Sequence, residues 1–143
     1  MIWPGKTKKN YYAEAIRDYA DRIQRILPLE IVETREERLS DSSRARRIEK
    51  ESATLSAKRK HPVSVVLDSS GKQLTSEEFA AWLQQQSADI DFLIGGPAGL
   101  NVQNPTLTIS FGKLTLPHEL ARVVLLEQIY RALTIVKHIP YHK

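Results

Sequence analysis

The strongest constraint on this chain is the spacing of its short apolar runs. Val63 to Leu67 and Asp91 to Ile94 are too brief for buried helices and are rich in β-branched and aromatic residues. Short, largely apolar runs of this kind read as strands covered on both faces, as in a parallel sheet. Leu29 to Thr34 alternates apolar and polar residues, the pattern of a half-buried strand. Leu107 to Phe111 predicts another strand. Met1-Ile2-Trp3, stopped by the turn signal Pro4-Gly5, reads as the last residues of a first one.

Helical patterns fill the intervals. Tyr12, Ile16, Tyr19, Ile23 and Ile26 lie on one face of a helix that Asn10 would cap and Pro28 would end. Residues 35–60 are highly charged, and Ala45, Ile48 and Leu55 give only a thin apolar stripe, so a surface helix is expected there. Asp68 to Gly71 reads as a turn. Thr75 and Glu78 have capping-box spacing and open a helix carrying Phe79, Ala80 and Leu83. Pro117 suits the first turn of a last helix running to about Val136. Leu120, Val123, Val124, Glu127, Tyr130, Arg131 and Thr134 share one broad side of it. Strands alternating with helices predict an α/β fold with a largely parallel sheet. A length of 143 residues suits a single domain, 1–143.

Composition narrows the function. The chain has no cysteine, which excludes disulfides, thiol nucleophiles and cysteine-ligated metals. No apolar run approaches the roughly 20 residues of a membrane span. Met1 to Gly5 leads straight into polar residues, so no leader is expected and the cytoplasm is the default compartment. Of the histidines His61, His118, His138 and His142, only the last two are close in sequence, with Pro140 between them. No metal site is expected from that spacing. The formal net charge is +4. Residues 1–60 hold 15 Lys and Arg against 10 Asp and Glu. An anionic partner such as nucleic acid fits this balance, and so does a solvated, salt-bridged helical surface. Arg44, Arg46 and Arg47 stand at the centre of that choice.

In an open α/β sheet, ligands bind outside the carboxyl ends of the strands. Two glycine-containing loops stand at such ends: Gly95 to Leu100, and Phe111 to Pro117. Neither is a P-loop, because no Gly-Lys-Ser/Thr follows at the right spacing. Taken alone, Gly95-Gly96-Pro97-Ala98-Gly99 is equally a plain turn. Glu127 and Arg131, four apart in the last helix, read as a structural ion pair or as a polar seam at an interface or active site. The tail from Lys137 reads as a frayed terminus or as an RNA-contacting arm, with Tyr141 stacking and Lys143 meeting phosphate.

Three segments are specific in combination. They are Phe92-Leu-Ile-Gly-Gly-Pro-Ala-Gly-Leu100, Leu114-Thr-Leu-Pro-His-Glu-Leu-Ala-Arg122, and Leu126-Glu-Gln-Ile-Tyr-Arg-Ala132 with the ending Pro140-Tyr-His-Lys143. Together they resemble the RlmH family of ribosomal RNA methyltransferases, in order and over nearly the whole chain. Val65-Val-Leu-Asp68 with Gly71-Lys72, and Ser76-Glu-Glu-Phe-Ala80, fit the same family. Two departures stand out: a shorter first strand, and Gly112 where the family often carries serine.

The resemblance implies a SPOUT fold: a largely parallel sheet with helices on both faces and a C-terminal trefoil knot. It implies a homodimer that uses S-adenosyl-L-methionine to methylate N3 of a pseudouridine in a hairpin loop of large-subunit ribosomal RNA, on the assembled ribosome. Cofactor contacts carried over from the family fall on Leu67, on Gly95, and on Phe111, Gly112, Lys113, Leu114, Thr115 and Leu116. The ring nitrogen must lose its proton before it can attack, and a nearby cation favours the resulting anion. His118, Arg122, Tyr141 and His142 are the candidate catalytic residues. Arg131 and Lys143 are candidate phosphate contacts. The alternative is a ribosome- or RNA-binding protein of the same fold without catalysis.

Overall fold

A computed structural model describes residues 1–37 and 43–141. The elements, in order, are β1 (Ile2–Pro4), α1 (Asn10–Gln24), β2 (Val32–Thr34), α2 (Arg44–Ala57), β3 (Val63–Gln73), α3 (Ser76–Gln84), β4 (Ile90–Ile94), β5 (Leu107–Ser110) and α4 (His118–Val136). They divide into two compact units.

The first unit comprises Met1–Lys6, Ile31–Gln73 and Ala88–His118. It holds a five-stranded sheet in the order β2-β1-β4-β3-β5. Every pairing is parallel, as the apolar runs predict. Ile2, Val66 and Leu93 form a buried cluster with Leu55 of α2, and Val32, Leu100 and Val102 pack against it. Leu55 belongs to the thin stripe of a charged helix, so one well-placed leucine suffices to seat α2 on the sheet.

Two strands differ from their expected lengths. Only Val32–Thr34 of the Leu29–Thr34 run is a strand, because its partner β1 offers three residues to pair with. β3 continues past Leu67 to Gln73, through the expected turn. The turn is present as an irregularity within the strand: the register on β5 shifts between Leu67 and Lys72, while the Ser70 amide bonds Asp68 Oδ1 at 2.9 Å.

The second unit comprises Thr7–Glu30, Leu74–Ser87 and Glu119–Lys143. The described residues of this unit carry α1, α3 and nearly all of α4. Ile16, Ala20 and Ile23 are the buried face of α1. Its N-cap is Lys9 instead of Asn10, and no side chain of the cap residue takes part. Glu119 of α4 does that work, accepting the amides of Lys8 and Lys9. α3 has the full capping box: Thr75 Oγ1 accepts from the Glu78 amide, and Glu78 accepts from the Thr75 amide at 2.7 Å. In α4 the buried stripe is Arg122, Leu125, Leu126, Ile129 and Ala132. Of the side read from the sequence, only Thr134 is buried. The helix is apolar on most sides, so periodicity alone does not select the inward face.

Candidate cofactor loops and a tyrosine–arginine cluster

Sheet register brings the expected cofactor residues to one edge. Leu67 of β3 stands opposite Ile94 of β4 and Ile109 of β5. Gly95 directly follows Ile94, and Phe111 comes two residues after Ile109. Leu67, at the irregularity within β3, thus lies level with the carboxyl ends of β4 and β5, where Gly95 and Phe111 follow and where parallel sheets bind ligands.

The two loops have different characters. The Gly95 loop is braced from below by α2. Arg44 Nε donates to the Ala98 carbonyl at 3.2 Å, and the Asn101 amide donates to Ser52 Oγ at 2.9 Å. Glu51 lies against Gly96, where an added Cβ would stand 2.8 Å from Glu51 Oε2. Within the loop the Gly99 amide closes a turn onto the Gly96 carbonyl at 3.0 Å. Arg44 therefore holds a loop as well as presenting charge, which the basic character of the segment did not reveal.

The second loop is open. Gly112 has φ +117, a left-handed conformation suited to glycine, with nothing within 4 Å of an added Cβ. Ser110 Oγ fixes it, donating to the Gly112 carbonyl and accepting from its amide. Beyond it, Leu114 is 84% exposed. Among the described residues, the amides of Lys113, Leu114, Thr115 and Leu116 meet no protein acceptor. Exposed amides beside an exposed leucine form an edge that a partly apolar, hydrogen-bonding ligand satisfies.

The helical unit holds a second cluster. Glu127 Oε1 accepts from Arg131 Nε at 2.9 Å, from Arg131 Nη2, and from the Tyr141 hydroxyl at 3.1 Å. Gln128 Nε2 donates to Glu127 Oε2 at 2.7 Å. The Arg131 guanidinium lies 4.9 Å from the Tyr141 ring centre, and Tyr130 meets that ring edge-on at 4.8 Å. Tyr19 Oη stands 3.4 Å from Tyr141 Oη. Either hydroxyl can donate in that pair. Arg22 covers the rings of both Tyr19 and Tyr130. Burial, the Tyr19 hydroxyl and the Glu127 charge together hold the Tyr141 phenol well above the usual tyrosine range. The bond to Glu127 likewise holds Arg131 above its usual value.

Tyr141 and Arg131, candidates by sequence, thus meet in one network. Arg122 is 0% exposed and donates from Nη1 to Thr7 Oγ1 at 3.0 Å, so it acts from within the helical unit. His118 is half-buried at the start of α4. His142 and Lys143 lie outside the described residues. Sequence reasoning missed Tyr19, Tyr130 and Arg22 as members of the cluster. The i, i+4 spacing of Glu127 and Arg131 was its one visible signal. Among the described residues no group of three acidic or histidine side chains is placed to hold a metal ion, and no helix is long and apolar enough to cross a membrane.

Residues 1–142 match the family model described as predicted SPOUT methyltransferases. The chain belongs to the SPOUT methyltransferase family. It is 40% identical to Ribosomal RNA large subunit methyltransferase H of Coprothermobacter proteolyticus, over all of this chain and 97% of that one. The protein of the same name from Limosilactobacillus fermentum is 41% identical, over all of this chain and 98% of that one. Putative ribosomal RNA large subunit methyltransferase H of Methanococcus maripaludis is 38% identical, with the same coverage.

S-adenosylmethionine, the methyl donor such a family implies, fits the loops of this SPOUT chain. Its adenine and amino-acid parts present donors and acceptors to main-chain groups, and its ribose and thioether-like carbons suit leucine walls. The free amides of residues 113–116, with Leu67 of β3 and with Leu114 and Leu116 of the second loop, offer both.

Proposed function

We propose that this chain transfers the methyl group of S-adenosylmethionine to N3 of a pseudouridine in a hairpin loop of large-subunit ribosomal RNA, on the assembled ribosome. It works as a cytoplasmic homodimer, and its C-terminal part is threaded as a trefoil knot. The observation that carries this reading is the convergence of Leu67, Gly95 and Phe111 at one sheet edge. Full-length relatives named as large-subunit ribosomal RNA methyltransferases supply the substrate class.

S-adenosylmethionine supplies a methyl carbon already activated by a sulfonium. The chain must hold it, align the acceptor and favour loss of the N3 proton. The main chain of Gly95 and of Phe111 to Leu116 holds the cofactor, with Leu67, Leu114 and Leu116 as its apolar walls. Arg131 is oriented by Glu127 and grips a phosphate of the hairpin, helped by Lys143. Tyr141 offers a ring for base stacking, braced by Tyr19 and Tyr130. His118 and His142 are the groups suited to accept the N3 proton. Arg122, being buried, positions the N-terminal end of α4 through Thr7.

Calorimetric titration with S-adenosylmethionine and S-adenosylhomocysteine tests the cofactor part. Saturable binding, followed by methyl transfer to unmodified ribosomes at one pseudouridine, is the expected result. Ribosome binding without cofactor binding would instead establish the non-catalytic alternative.

A further inference from the structure

Glu51 is a charged side chain with no place in the mechanism above. It is 3% exposed, on the inner face of α2. Its Oε1 accepts the Glu37 amide at 3.3 Å. Among the described residues its Oε2 has no hydrogen-bond donor, and it points at Gly96, filling the space where a Cβ would be. A neutral or apolar side chain would brace the loop without the desolvation that a buried carboxylate suffers. The charge therefore calls for a purpose beyond packing.

We propose that Glu51 is a positioning residue that makes the Gly95 loop select the positively charged methyl donor over its neutral product. The inference rests on the reading of that loop as part of the cofactor site. Glu51 Oε2 is shut away from solvent, so it acts through its field and through Gly96, without touching the ligand. S-adenosylmethionine carries one more positive charge than S-adenosylhomocysteine. When N3 attacks the methyl carbon, the carbon–sulfur bond breaks and sulfur keeps the electron pair. The N3 proton leaves to a base. The ligand then loses its net charge, and a carboxylate beneath the loop no longer favours it. One group thus strengthens donor binding and eases product release.

The surroundings set the strength of this effect. Arg47, one turn earlier on α2, is the opposing charge. Glu36 and Glu37, from the segment after β2, are like charges, and Lys50 pairs with Glu37 at 3.7 Å. Gly96 and Pro4 face Glu51 with no charge. Burial foremost, then the like charges, raise the affinity of Glu51 for a proton, against the Glu37 amide and Arg47.

Equilibrium titration of the full chain with S-adenosylmethionine and S-adenosylhomocysteine tests this, using wild type, Glu51→Gln and Arg47→Gln. Two unit charges about 10 Å apart at an effective dielectric constant of about 20 interact strongly enough for roughly a tenfold ratio. Glu51→Gln should weaken donor binding on the order of tenfold and change product binding by less than about twofold. Above the pH range in which Glu51 titrates, so that the carboxylate stays ionised, Arg47→Gln should shift the ratio the other way, and it answers the question even if Glu51→Gln does not fold. In wild type the ratio should fall on acidification as Glu51 is protonated, and in Glu51→Gln it should stay flat. Equal weakening of both ligands, or an unchanged ratio in either variant, overturns the role of Glu51 and leaves the cofactor loops standing. A wild type that binds neither ligand overturns the cofactor reading and this inference with it.

Discussion

The Glu119 carboxylate accepts the backbone amide of Lys8 at 2.8 Å, binding the start of one helix to the entrance of another. Its second oxygen takes the Lys9 amide at 3.3 Å. These are donors that the N-terminus of α1 leaves unmatched, and a negative charge there also suits the helix dipole. Losing a cap of this kind costs about 1 kcal/mol, more when buried amides are left without an acceptor. Glu119→Gln should lower stability by about 1 kcal/mol and Glu119→Ala by about 2 kcal/mol. Urea unfolding midpoints that stay at the wild-type value in both would show that the cap is energetically silent.

β3 and β5 approach each other closely at Gly71. A Cβ there would stand 2.5 Å from the Ile109 carbonyl carbon and 2.7 Å from its nitrogen, and backbone cannot step aside as a side chain can. Gly71→Ala must push the strands apart just before the open loop at Phe111. A loss of about 2–3 kcal/mol is expected, the range for overpacking a close contact. Lys72→Ala, at the exposed neighbour, should change stability by less than about 0.5 kcal/mol. Equal midpoints for the two variants would contradict the close approach.

The sheet was legible because its strands announce themselves. Val63 to Leu67 and Ile90 to Ile94 are largely apolar and covered on both faces, and Thr75 with Glu78 marks a helix start by chemistry that needs no tertiary partner. The two strand-end loops were legible for the same reason, since each directly follows such a strand. What escaped was set by residues distant in sequence. Asn10 is a better cap than Lys9 by its own chemistry, but Glu119 caps from outside the segment. The inward face of α4 was hidden because leucine, valine and alanine surround it. Tyr19 and Arg22 read as ordinary helix residues, and only the return of Tyr141 and Tyr130 to their side makes a cluster of them.

Tyr141 should titrate unlike the other tyrosines. Burial first, then the Tyr19 hydroxyl and the Glu127 charge, hold its phenol above the usual value. A raised value in the folded state means that the neutral phenol is the favoured form. Its contribution to stability is therefore full below the ordinary tyrosine value of about 10 and is lost as pH rises through the folded value. Ultraviolet titration of wild type against Tyr141→Phe isolates this residue. Glu127→Gln should move its transition toward the ordinary value. A Tyr141 transition that coincides with that of exposed tyrosines would refute the buried network.

Leu114 separates function from stability. A leucine that is 84% exposed contributes little to folding, since its surface is not removed from water. Bound cofactor would remove it. Leu114→Ser should therefore leave the unfolding free energy within about 0.5 kcal/mol of wild type. The same change should weaken S-adenosylmethionine binding roughly tenfold, the value of burying much of a leucine side chain. Unaltered affinity would exclude Leu114 from the apolar wall.

Glu51 should show the opposite trade. Its folded-state proton affinity is raised, chiefly by burial, so the fold favours the protonated carboxyl. For an acid shifted in this direction, stability is greatest below the ordinary glutamate value of about 4.3 and declines as pH rises through the folded value. Wherever this carboxyl is ionised, the wild-type protein carries a desolvated charge that glutamine would not. Glu51→Gln should be at least as stable as wild type at pH 7 and should lose the part of the pH dependence that runs from the ordinary glutamate value of about 4.3 up to the folded one. A variant markedly less stable than wild type at pH 7 would mean that the ionised carboxylate, through the Glu37 amide and Arg47, holds the fold together. A variant that is as stable as wild type yet less selective for the sulfonium would show a charge kept at a cost to folding for what it does to the ligand.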